Sequence, residues 1–141
     1  MFLYGKAVME NKEYFELPEI IELSQFGGDF HTYLEAVYKL FKRDFIDNRP
    51  IYLGVRLGLK RYPLSQGKEA TFWHMTSTGE DEANRVPDVR RLERIQWPAP
   101  MINQSEHTYL KVWENTRGDK TNILIFHEKE NYLVVLRKAK D

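Results

Sequence analysis

The chain contains no cysteine. That excludes disulfides, thiolate metal sites and cysteine nucleophiles, and it leaves the redox compartment undecided. No apolar run approaches the length of a membrane span. The opening residues, MFLYGKAVMENKEYFE, meet charges too early to form the long apolar region of a secretory signal. A soluble, cytoplasmic protein without membrane association is therefore expected. Neither a P-loop nor Gly-x-Gly-x-x-Gly is present, which removes the common nucleotide-cofactor enzymes, and no cofactor is expected. The four histidines, His31, His74, His107 and His127, are scattered without short metal-ligand spacing, so no metal site is expected. Glu80-Asp81-Glu82 is the one dense acidic run, and an acidic surface loop accounts for it as well as a loosely held cation does.

Net charge is also missing: 21 basic residues balance 21 acidic ones. A general nucleic-acid binder is usually more basic. The balance hides an asymmetry. Residues 1–35 hold seven carboxylates and two lysines, net −5, which leaves +5 for the remainder. Such a split fits an anionic partner, and ordinary surface variation fits it equally.

What is present is a globular chain of 141 residues with 42% hydrophobic and 13% aromatic residues. This is enough for a core and too apolar for disorder. With no repeat or linker, a single domain over 1–141 is expected, its first part (1–50) helical and its second (51–141) sheet-bearing. Pro18–Phe26 reads as a short helix leading to Gly27-Gly28. Asp29 is placed to cap a longer helix to about Asp47, whose Phe30, Leu34, Val37, Tyr38, Phe41 and Phe45 form one apolar stripe. The apolar period then drops to two. Ile51, Leu53, Val55, Leu57 and Leu59 alternate with Tyr52, Gly54, Arg56, Gly58 and Lys60, the pattern of a strand with one buried face. Ala70–Thr76 reads as a second strand and Pro87–Arg94 as a short helix. Pro98, Pro100 and Asn103–His107 read as a surface crossing. Tyr109–Glu114, Asn122–Glu128 and Tyr132–Arg137 read as three strands joined by hairpin turns. Helices followed by a mainly antiparallel sheet of about five strands, with one short inserted helix, is the α+β class.

Chemistry concentrates in Ala70–Pro98, ATFWHMTSTGEDEANRVPDVRRLERIQWP. On a strand, Phe72, His74 and Thr76 share one face. A neutral imidazole can give or take a proton near physiological pH, and a buried histidine satisfied by one backbone group is the competing account. Arg85, Arg90, Arg91 and Arg94 fall within ten residues that include no lysine. On a helix, Arg90 and Arg94 are neighbours with Arg91 beside them, a set of guanidinium forks able to grip phosphate oxygens. A solvated helix with local ion pairs uses the same residues. Thr76, Ser77 and Thr78 offer hydroxyls beside the histidine. Trp97, Tyr109 and Trp113 could stack on bases or fill a core. Glu114-Asn115 closes a strand, where polar side chains either face a cleft or cap a turn.

The series FWHMTSTG, RVPDVRRLERIQWP, VWEN and NILIFHEKENYLVVLRK resembles the phage-associated barnase–EndoU–colicin–RelE-like (BECR-fold) nuclease domains, over roughly Tyr52 to Lys138. The resemblance implies N-terminal helices, a curved antiparallel sheet and metal-independent cleavage of RNA by a toxin-like protein. It places His74 on the family's strand histidine, Arg85 and Arg90-Arg91…Arg94 on its arginine block, and Trp113-Glu114 on its later Trp-Glu step. On chemical grounds His74, Arg91, Arg94 and Thr76 take the catalytic roles. His74 is the proton carrier, the arginines stabilise the phosphoryl charge, and Thr76 positions the phosphate. Arg85, Arg90, Trp97 and Glu114 take RNA or phosphate binding. RNA is the expected partner. A protein inhibitor, or a phage or host protein bound by a non-catalytic module, is the alternative.

Overall fold

A computed structural model describes residues 13–79 and 84–139. The architecture is α+β, with helices and antiparallel strands. Two compact units divide the chain: Pro18–Asn103, and Met1–Leu17 together with Gln104–Asp141. Among the described residues no helix is long and apolar enough to cross a membrane. The loop read as acidic, Glu80-Asp81-Glu82, lies outside the described residues, as does most of the opening segment.

In the larger unit only Leu23–Phe26 of the first expected helix coils, as a 3-10 turn, and Gly27 at φ +65° ends it. Helix α1 (Phe30–Phe41) starts where Asp29 caps the amides of His31 and Thr32, then loosens into a π-helical turn over Lys42–Asp47. Its stripe buries Tyr33, Leu34, Val37, Phe41 and Phe45, leaving Phe30 exposed. Phe41 stacks on Phe45 at 5.4 Å and meets Phe72 edge-on at 5.2 Å. Tyr33 donates its hydroxyl to the Ile21 carbonyl at 2.7 Å. Burial, aided by the carboxylates of Glu93 and Glu22, pushes its phenol up to about 12.

Ile51–Lys60 is not one half-buried strand. Strands β1 (Ile51–Tyr52) and β2 (Val55–Arg56) form a hairpin around Leu53-Gly54. Positive φ at both turn residues, +46° and +83°, is the geometry of a two-residue hairpin turn. The alternation therefore folds back on itself after two residues, and Ile51, Leu53 and Val55 stay exposed.

Ala70–Thr76 is likewise not a strand but helix α2. Phe72 and Thr76, one turn apart, are its buried face. The β-propensity of Thr71, Phe72, Trp73 and Thr76 gives way to packing of Phe72 against α1. Short strands β3 (Ser77–Thr78) and β4 (Val86–Pro87) pair, and helix α3 (Val89–Glu93) follows with Asp88 as its cap. The expected surface crossing is helix α4 (Pro98–Asn103), which buries Pro98, Ala99, Met101 and Ile102. Both prolines sit in the first turn, where a helix has no use for the missing amide.

The smaller unit is a meander of β5 (Lys111–Arg117), β6 (Lys120–His127) and β7 (Tyr132–Arg137), with β6 central. Among the described residues the seven strands form three sheets of two, two and three strands rather than one sheet of five. One face of the meander buries Ile123, Ile125, His127 and Val134, while Trp113, Leu133 and Val135 are exposed on the other. His127 is fully buried: one ring nitrogen meets the Phe15 carbonyl at 2.8 Å and the other accepts the Glu130 amide at 3.3 Å.

Candidate functional site

Two contacts define the region around the β3–β4 pair: His74 in the last turn of α2 meets Arg85, and Arg91 of α3, paired with Asp88, reaches the Ser77 carbonyl of β3. Because α2 is a helix, His74 shares a face with Thr71 rather than with Phe72 and Thr76. The imidazole is exposed on the surface. Phe72 and Thr76 on the buried side hold the helix down.

Arg85, the residue before β4, reaches His74. Its Nη2 lies 2.7 Å from His74 Nδ1. A guanidinium has no acceptor, so Arg85 donates and Nδ1 carries a lone pair. The neutral imidazole in this pair therefore holds its proton on Nε2. Gly79 makes the approach possible. Its φ is +127°, and a Cβ there would stand 3.0 Å from the Asn84 carbonyl oxygen and 3.2 Å from the Arg85 Cα. A glycine lets the chain pass this close and return Arg85 to the helix it left.

Arg91 is the second cation. Its Nη1 donates to the Ser77 carbonyl at 2.8 Å, and its Nε lies 3.6 Å from Asp88 Oδ2. These contacts tie α3 to β3, one residue past the end of α2, and leave half of the side chain exposed. Arg90 is exposed; its backbone amide donates to the Asp88 cap and its carbonyl accepts from Arg94.

Five expected members stand elsewhere. Arg94 is committed to its own surroundings. Its Nη1 lies 3.1 Å from both the Arg90 carbonyl and Glu93 Oε1, and its guanidinium covers the Trp97 ring at 5.1 Å. Trp97 is 5% exposed and donates Nε1–H to the Pro18 carbonyl at 2.6 Å, so it is core and not a stacking platform. Thr76 is fully buried, with its hydroxyl donated to the Phe72 carbonyl at 2.8 Å, and presents nothing to a phosphate. Trp113 and Glu114 belong to the smaller unit, where Trp113 lies on the exposed sheet face beside Phe126 and Glu114 pairs with Lys138 at 3.0 Å.

A second polar cluster in the larger unit escaped the sequence. Lys68, almost wholly buried, pairs with Glu35 at 2.6 Å and lies over the Tyr38 ring at 5.2 Å. The hydrogen bond from Lys68 holds the Glu35 carboxyl below its usual range. Tyr38 donates to Glu69 at 2.7 Å, and burial with that bond pushes its phenol up to about 12. Every member of this cluster already has a partner, which marks it as support for α1 and the start of α2.

Among the described residues no three His, Cys, Asp or Glu side chains gather closely enough to hold a metal ion. The site as built is cationic and rich in donors: guanidinium groups at Arg85, Arg90 and Arg91 and an imidazole N–H at His74. Such a set matches the oxygens of a phosphate group. No family model matches the chain, and neither a curated protein nor a solved structure is similar to it.

Proposed function

We propose that the protein binds RNA through the phosphate at His74, Arg85 and Arg91, and cleaves it without a metal by attack of the ribose 2′-hydroxyl. The observation that carries this is the 2.7 Å contact between Arg85 and the exposed His74 imidazole. A phosphate offers Arg85 a charged, bidentate acceptor in place of a neutral nitrogen. When Arg85 turns to the phosphate, Nδ1 is released with its lone pair intact and becomes a base. It takes the proton of the 2′-hydroxyl as that oxygen bonds to phosphorus. The bond from phosphorus to the 5′-oxygen breaks, the leaving oxygen takes a proton from water, the proton on Nδ1 neutralises the hydroxide so formed, and a 2′,3′-cyclic phosphate remains. Arg85 and Arg91 stabilise the charge that gathers on the phosphoryl oxygens. The resemblance of roughly Tyr52 to Lys138 to BECR-fold nuclease domains points to the same substrate, and a cytoplasmic RNA is the substrate this proposal assumes.

The test is incubation with single-stranded RNA and sequence-matched DNA in EDTA. The expected result is RNA cut to cyclic phosphates, DNA left whole, and His74→Gln devoid of cleavage with its RNA affinity kept. Equal cutting of DNA, or loss of RNA cleavage on chelation, refutes the mechanism. A second reading, an RNA-binding module without catalysis, is favoured by the engagement of Nδ1 and by the burial of Thr76. Its signature is RNA bound by the wild type and cut by none of the preparations.

A further inference from the structure

We infer that the open face of the β5–β6–β7 meander docks an acidic amphipathic helix of a partner protein. This surface lies within the smaller unit, and the inference does not depend on the phosphate site at His74.

Cross-strand partners project to the same side of a sheet, so the register fixes what each face carries. One face holds Ile123, Ile125, His127 and Val134, and the chain covers it itself: the rings of Tyr14, Phe15 and Tyr109 pack on His127. The other face has four rows across the strands. Phe126 stands between Lys111 and Leu133, then Leu124 between Trp113 and Val135, then Asn122 between Asn115 and Arg137, and last Lys120 beside Arg117. Trp113 is 45% exposed, Leu133 42% and Val135 53%, with Leu124 and Phe126 half-buried between them. A contiguous apolar patch of this kind marks an interaction surface.

The charge on this face has one sign. Glu114, the sole carboxylate within the three strands, is opposite Ile123 and so lies on the other face, where it pairs with Lys138. Lys111, at the apolar end, is engaged by Glu128. Arg117, Lys120 and Arg137 are exposed at the far end, and among the described residues no carboxylate forms an ion pair with them. Asp119, in the turn between Arg117 and Lys120, is one acid against three cations, so that end stays positive. A complementary partner offers apolar side chains at one end and several carboxylates at the other.

Successive rows are two residues apart along a strand, about 7 Å. The Trp113 and Arg117 rows are therefore about 14 Å apart, or about nine residues of α-helix. The three strands are about 10 Å across, the width of one helix with its side chains. A helix lying along β6, with apolar residues in its first turns and glutamates on the same side about nine residues further on, fits both dimensions. A nucleic acid matches the cations but brings no aliphatic surface to Leu133 and Val135. A second copy of this face brings no carboxylate to the cations.

The probe is a synthetic helix of about 18 residues, long enough to cross all four rows. It carries leucines in its first half and glutamates on the same side of its second half. The control has lysines in place of those glutamates. Proton–nitrogen spectra of the unaltered protein should show shifts confined to the amides of β5, β6 and β7, with binding weakened by salt. The lysine helix should bind at least about tenfold more weakly. Trp113→Ala should weaken the glutamate helix about thirtyfold, as loss of an aromatic anchor does. Lys120→Glu/Arg137→Glu should reverse the preference between the two helices, an outcome that a loss of fold does not produce. No shifts with the glutamate helix, shifts only elsewhere, or equal binding of the two helices overturns the inference. So does a dimer in sedimentation that Trp113→Ala dissolves, which assigns the face to a second copy. A tetranucleotide RNA that shifts the same amides at lower concentration than the helix assigns it to nucleic acid and overturns it too. RNA cleavage at His74 stands or falls separately from each of these results.

Discussion

Replacing Arg85 by alanine should redistribute the proton on the His74 imidazole. In the wild type the Arg85 donor, 2.7 Å from Nδ1, fixes that nitrogen as an acceptor and the neutral ring as its Nε2–H form. A hydrogen bond from a charged donor contributes about 1.5–3 kcal/mol when shielded. At this exposed surface about 1 kcal/mol is the fair figure, since water and salt screen the charge. That bias makes the Nε2–H form about fivefold more populated than it would otherwise be, given tenfold per 1.4 kcal/mol. Long-range proton–nitrogen correlation spectra at a pH where the ring is neutral report the tautomer directly. The expected result is one dominant Nε2–H pattern for His74 in the wild type and a shift toward a mixture in Arg85→Ala. Arg85→Lys should fall between, because an ammonium is a point charge without the planar fork. An Nδ1–H pattern in the wild type would show that Arg85 does not face that nitrogen. The chemistry proposed for the site would lose its starting state, whatever the activity assays reported.

Gly79→Ala should destabilise the fold by about 1–2 kcal/mol, because alanine strains at φ +127° and its Cβ meets the Asn84 carbonyl oxygen; denaturant midpoints check this, and RNA affinity should fall with Arg85 displaced. Asp29→Ala should cost about 1 kcal/mol through loss of the cap on the α1 amides, with RNA affinity unchanged. Alkaline pH should destabilise the protein through Tyr33, whose phenol is raised to about 12 in the fold. Stability is complete below pH 10, where both folded and unfolded phenols are protonated. It falls as pH rises toward 12, because only the unfolded chain ionises, by about 2 kcal/mol. Denaturation from pH 8 to 12 should show that slope in the wild type and a shallower one in Tyr33→Phe. A flat profile would mean Tyr33 is not buried.

The sequence carried the long helix and the meander, because there local preference and tertiary packing agree. Asp29 is a good cap, the stripe of Leu34, Val37, Phe41 and Phe45 repeats over about three turns, and the three C-terminal strands sit between short turns. It misled at two places where they disagree. Ala70–Thr76 is rich in strand formers, yet a strand would turn His74 to the same side as Phe72 and Thr76, whereas the helix buries those two and leaves His74 exposed. Ile51–Lys60 alternates cleanly, but alternation does not say whether a neighbour exists to cover the apolar face, and Leu53-Gly54 turns the chain before one can form. The site followed the same division. His74 and the arginine block were legible as residue types. Which arginine meets the imidazole was not, since that depends on Gly79 and on the pairing of β3 with β4. Glycine between two hydroxyl-rich and arginine-rich runs was the one available signal for the return of the chain.

The rearrangement of the arginine set bears on what this surface does well. Four guanidinium groups in ten residues looked interchangeable along the chain. The fold gives them separate work: Arg94 to the Trp97 ring, Arg91 to the Ser77 carbonyl, Arg85 to His74, and Arg90 to solvent. Arg94 and Arg91 thereby anchor α3 to the core and to β3, and that anchoring fixes the frame from which Arg85 and Arg90 act. An arginine held by a backbone carbonyl has lost much of its side-chain entropy before a ligand arrives, so a phosphate at Arg91 meets a side chain that needs little further ordering. Arg85 is held more loosely, by one neutral nitrogen, and yields to a phosphate at small cost. Affinity should therefore depend most on Arg91 and turnover most on Arg85. Arg91→Ala should raise Kd for uncleavable RNA more than Arg85→Ala does, and Arg85→Ala should lower the single-turnover rate more than Arg91→Ala does. Equal effects of the two substitutions on both quantities would show that the two cations act as one undivided charge and that the contacts made before binding do not set their roles.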